Sequence, residues 1–274
     1  MGCHGGPDAV LTELTEARRL AADLRVEFNK ASDASNRAVM ADTDEVSIAF
    51  AREAEQMKNA VRADSAALAP HLQHLDYAAE TKALEEFRQH LAKYEEIDRS
   101  ILELAVENTN LKAQRLAFGP AREASDAFRD ALASLASRAP AKTRCSIEAA
   151  VAKAVIAVRE LQVLQAPHIA EPDDAPMTRM ETEMAALKVA TRKALDTLAG
   201  LVDPSARPQL AAAGAALDRF EGLATEIVKL SRRNSNVRSL ELSLRGKPAV
   251  TAACDESLRA LQDALAKEAF TATR

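Results

Sequence analysis

The sequence predicts an all-α protein built from two related four-helix bundles. Three observations carry this. Alanine, leucine, glutamate, lysine and arginine dominate the chain, and these are the strongest helix formers. Apolar residues recur at steps of three and four over nearly the whole length. Aromatic residues are only 3% with no tryptophan, so the aromatic and β-branched runs of a sandwich or barrel are missing.

The first helix carries Leu11, Leu14, Ala17, Ala21, Leu24, Phe28 and Ala31, a narrow apolar seam. Asp42 with Glu45 reads as a capping box for a second helix, with Phe50, Ala54, Met57, Val61 and Leu68, which Pro70 is expected to end. A long third helix runs from about Leu75 to Gly119-Pro120, and a fourth carries Ala124, Phe128, Leu132 and Leu135 before Pro140. The fifth bears Ile147, Val151, Ala154, Val158 and Leu161. Pro167, Pro172 and Pro176 then mark a linker. Thr178 with Glu181 is expected to cap helix six, which Gly200 and Pro204 end. A seventh helix runs through Leu210, Phe220, Ile227 and Val237 to a break near Gly246-Lys247-Pro248, and an eighth carries Val250, Cys254, Leu258, Leu261 and Leu265.

A shift of 126 residues superimposes the two halves. Ile101 meets Ile227, Leu104 meets Leu230, Asn108 meets Asn234, Asn110 meets Asn236, Lys112 meets Arg238, and Leu132 meets Leu258. The matched Asn-x-Asn motifs point to a duplicated four-helix unit. Expected domains are an N-terminal tether (1–7) and bundles at 8–140 and 141–274. The competing layout is one elongated, stacked bundle sharing the long third and seventh helices.

Composition narrows the function. With 36 basic against 41 acidic residues the net charge is −5, so no basic excess exists to neutralise a nucleic-acid backbone. No run approaches 18 apolar residues, so no membrane span is expected. The three cysteines, at 3, 145 and 254, are too few and too scattered for a disulfide framework or a zinc set. Cys254 falls on an apolar stripe and is expected to be a buried thiol. No phosphate loop, nucleophile elbow or carboxylate pair is present, so neither an enzyme nor a cofactor is expected. His71 and His74 lie in the turn expected beside Pro70, with no acidic or Cys ligand nearby to complete a set, and no metal is expected there.

Candidate binding residues come from polar groups on or near the stripes. Asn108 and Asn234 stand where Leu or Ile is expected, and a buried amide without a partner costs about 1–3 kcal/mol. Each must fix a polar layer or meet a ligand. Asn110, Asn236 and Arg238, with Lys112, are placed off the stripe, on a rim. On helix one, Asn36 follows Ser35 close to the seam. Arg37 could grip a carboxylate with its fork or pair with Asp33 or Asp44.

Four stretches resemble the four-helix-bundle sensor domain of bacterial methyl-accepting chemotaxis receptors: ILELAVENTNLKAQRLAFG at 101–119, LSRRNSNVRSLELSL at 230–244, AACDESLRAL at 252–261, and SDASNRAVMADTD at 32–44. The resemblance implies a non-catalytic, periplasmic ligand-binding bundle, often dimeric, that passes ligand occupancy on by helix displacement. The receptor's transmembrane helices and cytoplasmic coiled coil have no counterpart in the sequence. That suggests an excised sensor portion or a lipid-tethered relative. The start Gly2-Cys3-His4-Gly5-Gly6 is similar to a lipoprotein junction and makes Cys3 the lipidation candidate. The alternative is a structural or protein-interaction lipoprotein whose partners are other helices, with no small-molecule ligand. The alternative location is the cytoplasm.

Overall fold

The computed structural model describes residues 7–268. Among them are ten α-helices and no strand: α1 (Pro7–Val39), α2 (Asp44–His74), α3 (Ala78–Glu107), α4 (Thr109–Leu116), α5 (Arg122–Ser137), α6 (Arg144–Ala170), α7 (Asp174–Leu201), α8 (Arg207–Arg233), α9 (Ser235–Glu241) and α10 (Lys247–Lys267). Two π-helical turns, Ala117–Ala121 and Leu242–Gly246, join α4 to α5 and α9 to α10. No described helix is long and apolar enough to cross a membrane.

The helices fall into two compact units, but the division is not the expected one near residue 140. Among the described residues the first unit comprises 7–107 and 238–268, and the second comprises 108–237. The sequence halves are therefore not the folded units. The first unit joins α1, α2 and α3 to α10, and the second joins α6, α7 and α8 to α4 and α5. Each half lends its fourth helix to the other half's bundle. Periodicity could not reveal this, because both fourth helices carry the same kind of apolar stripe.

The core of the first unit is built from Leu24 and Phe28 of α1, Val61 and Leu68 of α2, Phe87 and Tyr94 of α3, and Leu258 and Leu261 of α10. Phe28 sits edge-on to Phe87 and Tyr94, with ring centroids 6.2 and 5.0 Å away. Cys254 is fully buried in this core, and burial pushes its thiol up to about 12. In the second unit Phe128, Leu132, Val158, Leu161, Leu198, Leu217, Phe220 and Ile227 are joined by many alanines.

Several expected boundaries move. Pro70 does not end α2, which runs on to His74 because Leu68 and Leu72, either side of the proline, are both fully buried. Their burial outweighs the cost of a proline inside a helix, about 3 kcal/mol. Pro167 likewise lies inside α6, followed by buried His168 and Ile169, so the linker shrinks to 171–173. Helix α7 starts at Asp174 rather than at Thr178, whose hydroxyl donates to the Asp174 carbonyl within the helix. The capping side chain of α2 is Thr43, which accepts from the Val46 amide at 3.2 Å, not Asp42. The long third and seventh helices are each interrupted, at Asn108 and Asn234.

Candidate functional site

Asn108 and Asn234 share one backbone state. Both are left-handed, with φ 50°, ψ 38° and φ 53°, ψ 37°. Asparagine tolerates this region better than other residues with a side chain. The left-handed step ends one helix and opens the next, leaving fresh N–H groups at each new start that need acceptors.

Those acceptors come from the matching motif. The Thr109 amide donates to Ser235 Oγ at 3.0 Å, and the Ser235 amide donates to Thr109 Oγ1 at 3.0 Å. One residue on, the Asn110 amide donates to Asn236 Oδ1 at 3.1 Å, and the Asn236 amide donates to Asn110 Oδ1 at 3.2 Å. Each new helix is thus capped by the other's side chains instead of its own. Asn110 Nδ2 also donates to Asn234 Oδ1 and to the Ile169 carbonyl, both at 2.7 Å. Asn236 Nδ2 donates to Asn108 Oδ1 at 2.9 Å, and Asn234 Nδ2 to the Glu171 carbonyl at 2.9 Å. Asn108 is fully buried, and its Nδ2 has no partner. Asn110 was expected on a rim and is instead buried, drawn in by these bonds. Asn236 is half-buried and Arg238 is exposed.

A second polar cluster lies in the first unit, and sequence reasoning missed it. Asp98 of α3 is completely buried. Its Oδ1 accepts from Ser35 Oγ of α1 at 2.5 Å and meets Lys247 Nζ of α10 at 3.0 Å, while Oδ2 accepts from Lys58 Nζ of α2 at 2.8 Å. Lys247 Nζ also donates to Ser35 Oγ at 2.7 Å and to Asn36 Oδ1 at 3.2 Å, and lies 5.3 Å from the centre of the Tyr94 ring. Lys58 pairs in addition with Glu55, at 2.6 Å. Burial alone would raise the Asp98 carboxyl, but the two ammonium groups outweigh it and hold it below the usual carboxylate range. Burial pulls the Lys247 ammonium down, with Asp98 opposing. The missed signal was Lys58 and Asp98 on apolar stripes: Lys58 lies between Ala54 and Val61, and Asp98 between Tyr94 and Ile101.

Of the residues expected on helix one, Asn36 reaches this cluster through Lys247, although it is itself largely exposed. Arg37 does not. It is exposed, 3.9 Å from Asp33 and stacked over the Phe50 ring at 3.9 Å. His71 and His74 lie on helical backbone rather than in a turn, and both face Glu13 of α1, His71 in hydrogen-bond contact and His74 at 3.8 Å. No group of three or more potential metal ligands forms among the described residues. Cys3 lies outside the described residues.

His168, also missed, links three helices of the second unit. Its Nδ1 meets Ser231 Oγ of α8 at 2.8 Å and its Nε2 meets Glu181 of α7 at 2.9 Å. Arg232 donates to the same carboxylate at 2.6 Å and, ahead of His168, holds it below its ordinary range. The order Ser–His–Glu has the connectivity of a hydrolytic triad. However, Ser231 is fully buried and its hydroxyl donates to the His168 carbonyl at 2.7 Å. The arrangement therefore ties α6, α7 and α8 together and presents no nucleophile.

No protein-family model matches the sequence, and no curated protein matches it. The geometry establishes an all-helical fold of packed bundles, compatible with a helical sensor domain.

Proposed function

We propose that this protein is a non-enzymatic, extracytoplasmic helical-bundle sensor that binds a small molecule and reports occupancy by slight displacement of helices, as the chemoreceptor resemblance implies. The supporting observation is the Asp98 layer. Each of the four helices of the first unit contributes one side chain to it: Ser35, Lys58, Asp98 and Lys247. Charge-assisted hydrogen bonds in a core are directional, so axial slip of one helix breaks them as a set. A bundle held this way favours a few discrete registers over continuous sliding, which is what a displacement signal requires.

The test is a thermal-shift screen of the purified protein against a metabolite panel, followed by hydrogen exchange with any stabilising compound. The reading expects at least one stabiliser, with altered protection in α1 and α10 around Ser35 and Lys247. No stabiliser in the panel, or protection changes that spare both helices, refutes it. The proposed lipid tether at Cys3 is tested by palmitate labelling in a bacterial host, with Cys3→Ser as control.

A second reading is a structural or interaction protein whose partners are other helices. One observation favours it: Asn110 and Asn234 spend their side-chain groups on protein acceptors and donors. That reading expects a stable complex with a helical partner and no metabolite stabilisation.

A further inference from the structure

We propose that the groove between α6 and α7 binds an amphipathic carboxylate, its apolar body along the groove and its head group between Lys153 and Lys193. The inference rests on the ligand-binding reading above and supplies it with a place and a ligand class.

The groove encloses about 520 Å³ within the second unit. Its walls are largely apolar, with Ala150, Ile156, Ala157, Leu187 and Ala190 among them. Ile156, 56% exposed, lines this groove, although Val158 and Leu161 already supply the core face of α6. Isolated exposed apolar residues are ordinary, but a concave run of them marks a binding surface.

Charge decides the occupant. Lys153 enters from the α6 wall and Lys193 from the α7 wall, and neither forms an ion pair. Two cations on opposite walls of one apolar cleft, against a single carboxylate, favour an anion there. The one acidic lining residue, Glu160, is seven residues from Lys153, about 10 Å along α6. It repels a carboxylate from that end and so orients the ligand. The comparable groove in the first unit, between α2 and α3, mixes Arg52 and Arg99 with Glu55 and Glu103, and has no such one-signed head-group site.

The test uses the full chain and fatty carboxylates as probes. Hexanoate, heptanoate and octanoate are titrated by calorimetry, with octylammonium and 1-octanol as comparators. Methyl NMR signals of Ile156 and Leu187 report the place. Affinity is expected to rise about fourfold per added methylene, the worth of burying one CH₂, and to weaken with salt. Octylammonium is expected not to bind. Lys153→Gln with Lys193→Gln is expected to weaken octanoate at least tenfold with unchanged circular dichroism and Tm, since both side chains are exposed. Ala190→Phe is expected to fill the groove and abolish binding. Binding that ignores the double lysine variant, equal binding of octylammonium, signal changes confined to other residues, or no octanoate binding at all overturns the proposal. A metabolite that stabilises the protein but maps away from Ile156 and Leu187 leaves the sensory reading standing and removes this site. Octanoate bound in the groove without any change in α1 and α10 does the reverse.

Discussion

The two units place opposite chemistry at matching core positions. Under the 126-residue shift that aligns the Asn-x-Asn motifs, Tyr94 meets Phe220, Asp98 meets Ala224 and Lys247 meets Ala121. All six residues are buried. The first unit fills this layer with a charged hydrogen-bond network, and the second fills it with a phenyl ring and two methyl groups. A helical bundle tolerates either solution, because only the demands on neighbouring side chains differ. The charged layer needs all its partners at once; the apolar layer needs only volume. Elsewhere in its core the second unit buries Gln165, which is 1% exposed with no partner for its amide nitrogen or oxygen.

The strongest way to break the comparison is to remove the centre of the charged layer. Asp98→Ala strands Lys58 and Lys247 in the core and should cost about 3–5 kcal/mol, read by urea denaturation and by faster hydrogen exchange in α1, α2, α3 and α10. Converting the layer to the apolar kind, with Lys58→Met, Asp98→Leu and Lys247→Met together, should recover most of that loss, because apolar replacements carry no desolvation penalty. If the triple variant is as unstable as the single one, the charges are not the cause.

The same layer should make the first unit sensitive to acid. The folded-state pKa of Asp98 is lowered. Its contribution is therefore complete above the ordinary carboxylate value near 3.8 and is lost as pH falls through the lower folded value. Below pH 4, exchange protection should fall first in the helices of the first unit. The triple variant should abolish that preference.

A smaller effect is expected at the helix crossing. Asn234→Ala must hold a left-handed backbone without the asparagine side chain and leaves Asn110 Nδ2 with one acceptor fewer, at about 2 kcal/mol. Asn234→Gly keeps the backbone at ease and should lose less, and thermal denaturation of the pair separates conformation from hydrogen bonding. Gln165→Leu removes an unpaired buried amide and should stabilise the second unit by about 1 kcal/mol. Arg37→Ala breaks only an exposed contact with Asp33 and a stack on Phe50, and should change stability by about 0.5 kcal/mol.

Much of this was legible along the chain. The amphipathic stripes located the helices, and the paired Asn-x-Asn motifs marked the two left-handed helix breaks. The unusual polarity of Asn108 and Asn234 was plain from their place among Leu and Ile. Their role was not, because it depends on a left-handed φ and on partners far along the chain, Asn236 for Asn108, and Asn110 and Glu171 for Asn234. Lys58 and Asp98 stand out only as single charges on apolar stripes, in a chain that is 28% charged. Only their convergence from separate helices makes them a layer. Pro70 and Pro167 misled because a local breaker was weighed without the burial of Leu72 and Ile169 beside it.

By itself, then, the sequence determined the helices, their apolar faces and the repeat that relates them, since all three follow from spacing of three and four residues within a turn or from simple self-similarity. The tertiary structure decided which four helices share a core, exchanging α10 for α5, and whether a buried amide or carboxylate meets a backbone, a lysine or nothing. An apolar stripe specifies that a face must be covered but not by which helix, and a buried polar atom specifies that a partner is needed but not where in the chain it lies.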